Sequence, residues 1–402
     1  MTNIKTTYDI AIIGGGLVGM SMAVALADSD CEVLLIEQSQ TSPLQANILD
    51  LRTTGLTRSS QQAFTHFGIW GSIELQATPI ERLDISEQGN FGGARIDASE
   101  FNASPIGYMV PNHHLIDVLS QKVSQQKNLS IMSSSSLVNL EENTEGYSID
   151  IDQNNQTLTI QTALLIGADG ANSKVRELLE ISVQRKKYHQ SAIIANVRPQ
   201  KSHQNNAYER FTEHGPLAVL PIQDDCCALI WTQADANVEH YLQMNDLSFL
   251  RALQKAFGYR LGMFKEVGQR SSYPLSLTVS EKLIKGNAVL LGNAAQAVHP
   301  VAAQGFNLGL RDVQALVQLL KEAKFSKQLF SQLLIDYEDQ RKPDREHVIR
   351  LTDGLTRMFA PQVWPAKVIR GFGVRMIGKL PILQRSVLRK NSGMKHFLGY
   401  IE

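Results

Sequence analysis

Apolar residues along the chain form short continuous runs that alternate with helical patterns. The continuous runs predict buried parallel strands at 8–13, 32–36, 164–166 and 288–291. The first, third and fourth runs lead through turns of small residues into helical patterns, and the second run ends in Glu37. Strands and helices in this order predict an α/β fold.

Residues 183–273 show a different pattern. Short alternating runs predict an antiparallel sheet with strands at 191–197, 208–212, 217–220 and 228–232, and a helix near 247–257. We interpret this region as a second domain, inserted into the first, that forms one wall of a ligand pocket. Cys226 and Cys227 are expected in the strand core, and His214 is expected to be structural.

Two further helices are predicted from local signals. Residues 50–56 are expected to open a helix that runs to about residue 67, and Asn112 has the residue type of an N-cap for the next helix. Arg52 has two interpretations. The sequence alone favours a solvent-facing helix residue, and the alternative is a side chain that reaches a bound ligand.

The same patterns predict two interleaved domains and a C-terminal region. The first domain comprises residues 1–79, 108–182 and 274–350, the second comprises 80–107 and 183–273, and the C-terminal helical region is 351–402. From Leu355 onward, nine Lys and Arg residues stand against one acid, Glu402, with apolar residues between them. This composition is typical of a surface on anionic lipid. A helical layer with a solvated basic face is an equal alternative, because three prolines interrupt the region.

Composition sets outer limits on the function. Of 402 residues, 43% are hydrophobic and 19% charged, as in soluble globular proteins, and the net charge of zero argues against nucleic acid as a partner. Three cysteines, two of them adjacent, offer no disulfide framework and indicate a reducing, cytoplasmic compartment. We expect no signal peptide, no membrane span and no metal site.

The first turn carries a glycine pattern that predicts nucleotide binding. Gly14 suits the tight turn after a strand, Gly16 suits close approach of the backbone to a pyrophosphate, and Gly19 suits helix–strand packing. Glu37 stands where an acid binds a ribose hydroxyl, which indicates FAD or NAD rather than NADP. The alternative is a glycine-rich turn without a ligand.

Two later turns complete the pattern. Asp169-Gly170, with Arg176 following, comes directly after a buried strand and should lie at the carboxyl end of the sheet. Residues 292–312 pass from a polar turn through a small-residue loop into a long helix. Such a layout directs backbone N–H groups and the positive end of a helix at a flat, electron-rich partner, and a reduced flavin is one.

Together the three turns resemble the group A flavoprotein aromatic hydroxylases, and the similarity extends to about residue 350. The resemblance implies the para-hydroxybenzoate hydroxylase-like α/β fold, with a Rossmann-type FAD-binding domain, an inserted β-sheet substrate domain and a C-terminal helical region. Residues 209–221 and 292–296 are similar to the ubiquinone-biosynthesis hydroxylases, most of all to the polyprenyl-methoxyphenol hydroxylases.

The resemblance implies a set of site residues. Those implied to contact FAD are Gly14, Gly16, Leu17, Val18, Gly19, Glu37, Gln38, Arg52, Asn112, Val138, Asp169, Gly170, Asn293, Pro300, Gln304, Gly305, Phe306 and Asn307. His299 and Pro300 are the candidates for catalysis, with the alternative that His299 only fixes the turn before Pro300. The chain departs from most relatives at Asn293, Ala303 and His113, where they carry Asp, Gly and Arg.

The activity implied is hydroxylation of a polyprenylated phenol in ubiquinone biosynthesis through a flavin C4a-hydroperoxide, with NAD(P)H as reductant and molecular oxygen as co-substrate. The expected partners are that phenol, a ubiquinone-biosynthesis complex and, peripherally, the inner face of the bacterial membrane. Two alternatives stay open: a non-catalytic flavin-binding subunit of such a complex, and another flavin reaction on the same fold. No general base is identified.

Overall fold

The computed structural model describes residues 5–39, 47–89, 93–101, 105–298 and 304–359. Its central sheet has the spatial order β18-β19-β11-β1-β2-β8, and β10 and β9 extend it from β11. The strands are β1 (Thr7–Ile13), β2 (Val33–Glu37), β8 (Leu129–Ser133), β9 (Ser135–Asn143), β10 (Gly146–Gln153), β11 (Gln156–Gly167), β18 (Ile284–Lys285) and β19 (Ala288–Leu290). All four predicted parallel strands are confirmed.

The register of the parallel strands aligns their carboxyl ends. Ile13 at the end of β1 pairs with Ile36 on β2 and with Gly167 on β11. Gly167 in turn pairs with Leu290 on β19. The turns that follow these strands therefore leave the sheet at one edge, where open α/β sheets bind ligands.

Helices cover the central sheet. They are α1 (Leu17–Ala25), α2 (Arg58–His66), α3 (Trp70–Glu74), α4 (Asn112–Ser124), α5 (Lys174–Leu178), α8 (Gln304–Glu322) and α9 (Phe330–Phe359). Helix α1 contacts both α4 and α8, and α8 contacts α9. Every residue of α1 from Gly19 onward is buried, which explains why its sequence contains only small and apolar residues.

The second sheet has the order β20-β17-β12-β15-β14-β13-β5-β6, with β16 beside β12. Its strands are β5 (Arg82–Glu87), β6 (Gly93–Asp97), β12 (Val183–Pro199), β13 (Asn206–Thr212), β14 (Gly215–Pro221), β15 (Cys227–Ala234), β16 (Phe264–Val267), β17 (Ser271–Ser280) and β20 (Gln296–Ala297). Helices α6 (Asp235–Gln243) and α7 (Asp246–Phe257) complete this part of the fold. The predicted antiparallel sheet and the helix at 247–257 are confirmed, and α6 was not predicted.

The core between this sheet and α7 contains large aromatic side chains. Trp231 lies 5.9 Å from Phe249, measured between ring centroids, and both are buried. Cys227 belongs to the same buried cluster and Cys226 is also buried, as predicted for strand-core residues. Burial raises the pKa of both thiols, so neither is a reactive thiolate.

A small antiparallel sheet, β3-β7-β4, corrects two predictions; its strands are β3 (Thr53–Thr57), β4 (Thr78–Ile80) and β7 (Gly107–Pro111). The helix predicted from residue 50 begins only at Arg58, because the threonine-rich segment before it pairs with β7, and the Thr57 side chain caps α2. Asn112 is not an N-cap. Pro111 occupies that position, and the Asn112 Oδ1 accepts a hydrogen bond from Thr54 Oγ1 at 2.6 Å.

The predicted domain boundaries fall at different places relative to these elements. The boundary before residue 183 coincides with the start of β12, whereas those after 273 and 350 fall inside β17 and α9. The division into domains remains a prediction. No helix in the described ranges is long and apolar enough to cross a bilayer.

Candidate active site

The turn between β1 and α1 requires glycine at two positions. Gly14 has a φ of +106°, and a Cβ there would lie 2.6 Å from the carbonyl oxygen of Ala168. A Cβ on Gly19 would lie 1.8 Å from the carbonyl oxygen of Gly14. These approaches are too close for any side chain, so the two glycines hold the first turn directly against the loop that follows β11.

Gly16 is glycine for a different reason. A Cβ at this position would meet no atom of the described residues within 4 Å, so the packing of the protein itself does not exclude a side chain. Gly16 is the N-cap of α1, and it leaves the first-turn amides of Leu17 and Val18 without a side-chain cap. An open concavity at the positive end of a buried helix fits the pyrophosphate of FAD.

Glu37 lies beside this turn at the end of β2. Its Oε2 accepts a hydrogen bond from the Gly15 amide at 2.5 Å, and its Oε1 accepts one from the Ser39 amide at 2.8 Å. The two bonds fix the carboxylate at the sheet edge and leave it lone pairs for a further donor. This geometry fits the ribose hydroxyl of an adenosine. Gln38, the next residue, is exposed.

Asp169 contributes a second acceptor at the same edge. Its Oδ2 accepts hydrogen bonds from the amides of Lys174 and Val175 at 2.7 and 3.0 Å. Its Oδ1 is buried and has no partner among the described residues. A buried carboxylate oxygen without a donor is costly, so this atom fits a hydroxyl or amide of a bound cofactor. Gly170 follows with a φ of +84°.

Arg176 connects two of the three turns, a role that the sequence analysis missed. Its buried guanidinium donates hydrogen bonds to the carbonyl oxygens of Ala294 at 2.7 Å and Ala171 at 2.9 Å. Burial lowers the pKa of this arginine. The only sequence signal was an arginine in a short helix directly after the Asp169-Gly170 turn.

The third turn packs against the first. Gly292 has a φ of +57°, and a Cβ on Gly309 would lie 2.8 Å from Val18 Cγ2 and 3.0 Å from Gly292 Cα. Helix α8 therefore begins where α1 begins. Among the described residues, the nearest atom to an ideal Cβ on Gly305 is the Oδ1 of exposed Asn293 at 4.0 Å, so the packing of these residues does not exclude a side chain there.

A buried ionic network lies behind the third turn. Asp312 Oδ2 accepts a hydrogen bond from the Gly292 amide at 3.1 Å, and its Oδ1 forms an ion pair with Arg341 at 2.7 Å. Arg341 and Arg311 each contact Asp344 at 2.7 Å. All four charged side chains are at most 9% exposed. The network fixes the turn to α8 and α9, and the sequence analysis did not predict it.

The first turn of α8 offers its backbone rather than its side chains. The Phe306 ring stacks on Phe64 with centroids 6.2 Å apart. The Asn307 side chain accepts a hydrogen bond from the Thr57 amide at 2.9 Å and donates one to the Gly55 carbonyl at 2.8 Å. The main-chain amides of this turn, which begins at Gln304, are what remains for a ligand.

The remaining predicted residues are placed differently. Arg52 is exposed just before β3, where its guanidinium lies 5.1 Å from the centroid of the Tyr273 ring. Its carbonyl accepts a hydrogen bond from the Asn112 amide at 2.9 Å. Val138 is 48% exposed on β9. His299, Pro300 and Ala303 lie outside the described residues.

Comparison with known proteins places the chain in a family. A model described as "FAD binding domain" matches residues 7–352. The chain belongs to this family. It is 30% identical over 390 residues to ubiquinone hydroxylase UbiL of Rhodospirillum rubrum, covering 96% of this chain and 89% of the relative. It is also 28% identical to the 3-demethoxyubiquinol 3-hydroxylase of Escherichia coli, covering 98% and 100%.

Solved structures confirm the predicted fold. The p-nitrophenol 4-monooxygenase PnpA of Pseudomonas putida DLL-E4 superposes with a TM-score of 0.79 at 15% identity, covering 96% of this chain and 99% of that one. PqsL of Pseudomonas aeruginosa, described as a probable FAD-dependent monooxygenase, gives 0.78 at 18% identity, covering 92% and 99%. The expected cofactor and the class of FAD-dependent aromatic-ring hydroxylases are thus confirmed.

Proposed function

We propose that this protein hydroxylates the ring of a polyprenylated phenol in ubiquinone biosynthesis, using FAD, NAD(P)H and dioxygen. The observation that carries the proposal is the meeting of three glycine turns at one sheet edge, where Gly16 and Gly305 leave room beside the backbone and Asp169 offers an unpaired acceptor. The names of the relatives, which refer to ubiquinone, support the choice of substrate class.

In this proposal each turn holds a different part of FAD. The α1 amides beside Gly16 would hold the pyrophosphate, and Glu37 would bind the adenosine ribose. Asp169 and Asn293 would accept hydrogen bonds from ribityl hydroxyls, and the first-turn amides of α8 would bind the flavin ring. Bound flavin, reduced by NAD(P)H, supplies the activated oxygen. The protein binds and orients the phenol and excludes water from the ring.

Phenol-dependent turnover tests this function. Purified FAD-loaded protein is mixed with NADH or NADPH and a short-chain 2-prenylphenol, and both NAD(P)H loss and the hydroxylated product are measured. We expect one product per NAD(P)H consumed, and accumulation of an unhydroxylated quinone precursor in a deletion strain. Two results together would instead favour the non-catalytic subunit: purified, flavin-loaded protein that shows no phenol-dependent oxidation, and a deletion strain whose quinone precursors are unchanged.

We further propose that residues 351–402 attach the protein peripherally to the cytoplasmic face of the membrane, where a polyprenylated substrate and a ubiquinone-biosynthesis complex reside. The support is the composition from Leu355 onward, where nine basic residues stand against one acid, with apolar residues between them. Truncation after Leu355 should release flavin-containing protein to the soluble fraction. A truncated form that still sediments with membranes would contradict this attachment.

A further inference from the structure

The two faces of the second sheet have different surroundings. On one face, Tyr208 and Trp231 are buried in the cluster that includes α7. On the other face, Asn196 Nδ2 donates hydrogen bonds to the carbonyl oxygens of Ile48 and Leu51, each at 2.7 Å. The second face therefore looks toward the FAD-binding part of the chain, and we call it the inner face.

The strand register places Glu209 on the inner face. Glu209 on β13 pairs with Ala218 on β14, Ala218 pairs with Ile230 on β15, and Ile230 pairs with Ile194 on β12. Directly paired residues point to the same side of a sheet, and Ile194 shares its side with Asn196, two residues along. Tyr208, next to Glu209, points to the opposite side.

The described residues leave part of this row uncovered. Ile194 and Ile230 belong to central strands, where apolar side chains are normally buried, yet both are partly exposed. Phe211, which follows Glu209 on the same face, adds an aromatic ring. The row therefore forms an apolar wall that contains one carboxyl group, and such a wall suits a phenol ring with an apolar tail.

Glu209 lacks a partner on this wall. It makes no hydrogen bond or ion pair with any described residue, although it is only partly exposed. By register, the titratable residues on its face are Glu87 at the β5 side and Tyr273, covered by the Arg52 guanidinium, at the β17 side. Farther along the same face lie the buried thiol of Cys226 and the Arg198–Glu266 ion pair. Met109 of β7 and Ile80 of β4, which pack toward this face, are apolar. Burial alone raises the pKa of the Glu209 carboxyl to about 7.

We infer that Glu209 binds the ring hydroxyl of the phenol and accepts its proton as the ring is hydroxylated. This inference rests on the proposed function. The phenol O–H bond breaks, its proton moves to the carboxylate, and its electron pair enters the ring, which makes the ring carbon a better nucleophile. One atom of dioxygen joins that carbon, which loses its hydrogen as a proton. The other atom leaves as water, and the two electrons come from NAD(P)H.

The acidity of the group suits this step. A phenol has a pKa near 10, so an ordinary carboxylate is a weak base toward it. A carboxyl group with a pKa of about 7 is closer in pKa to the phenol, so its carboxylate is a stronger base. It is still largely ionised in slightly alkaline solution. No other carboxyl of the described residues combines a place in the middle of the inner face with the lack of a partner.

The test compares wild type with Glu209→Gln, which keeps the shape and removes the base, and with Glu213→Gln, an exposed acid in the β13–β14 turn. Flavin absorbance first verifies that all three load FAD. Binding of 2-prenylphenol is then followed from pH 5.5 to 8.5 without NAD(P)H, through the flavin spectrum. The affinity of wild type for the phenol should rise about tenfold as the pH increases through 7, which is the effect of one hydrogen bond to a charged acceptor. The affinity of Glu209→Gln should not change with pH.

Turnover separates the inference from the proposed function. Phenol-dependent hydroxylation by Glu209→Gln should fall at least about 100-fold, and Glu213→Gln should match wild type. A Gln variant with wild-type rate and pH dependence overturns the role of Glu209 while the hydroxylase function stands. Wild type that binds the phenol with the pH dependence, but never oxidises it, overturns the function and supports the binding role. Absence of phenol binding by wild type overturns both.

Discussion

The carboxyl edge of the central sheet and the inner face of the second sheet are built in different ways. The edge depends on backbone: a Cβ at Gly14 or Gly309 would collide with atoms of another turn, and one at Gly19 would collide with the carbonyl oxygen of Gly14. The inner face uses side chains, with apolar residues around one unpaired carboxyl, Glu209. In our proposals the edge binds the cofactor, and the face binds the substrate.

The largest effect is expected at the edge, from Gly19→Ala. Its Cβ would lie 1.8 Å from the Gly14 carbonyl oxygen, so the turn and α1 must move apart. We expect the affinity for FAD to fall more than about 100-fold, since a displacement of about 1 Å is enough to disrupt a preorganised site. Flavin content after purification and FAD titration measure this.

Gly71→Ala is the matched control. Gly71 is exposed within α3, and a Cβ there meets nothing within 4 Å in the described chain. Flavin content should be unchanged, and stability should rise by up to about 1 kcal/mol from helix propensity. Equal flavin content in both variants would show that the close approach at Gly19 is not needed.

The ionic network behind the third turn should give the next largest effect. Arg341→Met leaves Asp312 and Asp344 buried without this partner, and we expect a loss of about 3–5 kcal/mol in the free energy of unfolding. Chemical denaturation measures it. Arg350→Met, which removes an exposed pair with Glu346, should cost less than about 0.5 kcal/mol. Equal costs for the two variants would refute the structural role of the network.

On the inner face a charge should destabilise the fold, in contrast to the charges of the ionic network, because ionised Glu209 is only partly exposed and has no partner among the described residues. Its pKa is about 7 in the folded chain and ordinarily 4.5, so the folded state retains a proton that the unfolded state releases between these values. Relative to Glu209→Gln, wild type should lose about 1–2 kcal/mol of stability as pH rises from 4.5 to 7, after allowance for partial exposure, and no more above it. Denaturation midpoints at several pH values check this; an unchanged difference would contradict it.

The smallest effect is expected where the edge uses a side chain. Glu37→Gln keeps an acceptor for the Gly15 amide but removes the charge, so FAD should bind about tenfold more weakly. Glu145→Gln, in the exposed β9–β10 turn, is the control and should bind FAD as wild type does. Calorimetric titration of both variants with FAD distinguishes them, and equal affinities would argue against a ribose contact.

The same contrast explains what the sequence could predict. Gly14 and Gly19 are constrained by backbone geometry that a local pattern reveals, and the continuous apolar runs predicted the buried parallel strands. The place of Glu209 on the inner face was not predicted, because it depends on a register across four strands. Such a register leaves no signal in the residues next to it.

Errors in local structure have a similar origin. The segment before Arg58 was predicted to open a helix, but its residues 53–57 form a strand that pairs with β7. Arg176 and Arg341 lie on helices, and in the sequence each is only a charged residue whose binding partner cannot be identified. Their partners, Ala294 and Asp312, are far away in the chain and adjacent only in the folded protein.

The measurement that tests the central claim most directly is titration of the flavin-free protein with FAD and with FMN, followed by flavin fluorescence. If the three turns form one dinucleotide site, the protein binds one FAD per chain, and FMN binds at least about 100-fold more weakly because it lacks the half held by α1 and Glu37. A folded protein that takes up no FAD, or that binds FMN equally well, would contradict the account.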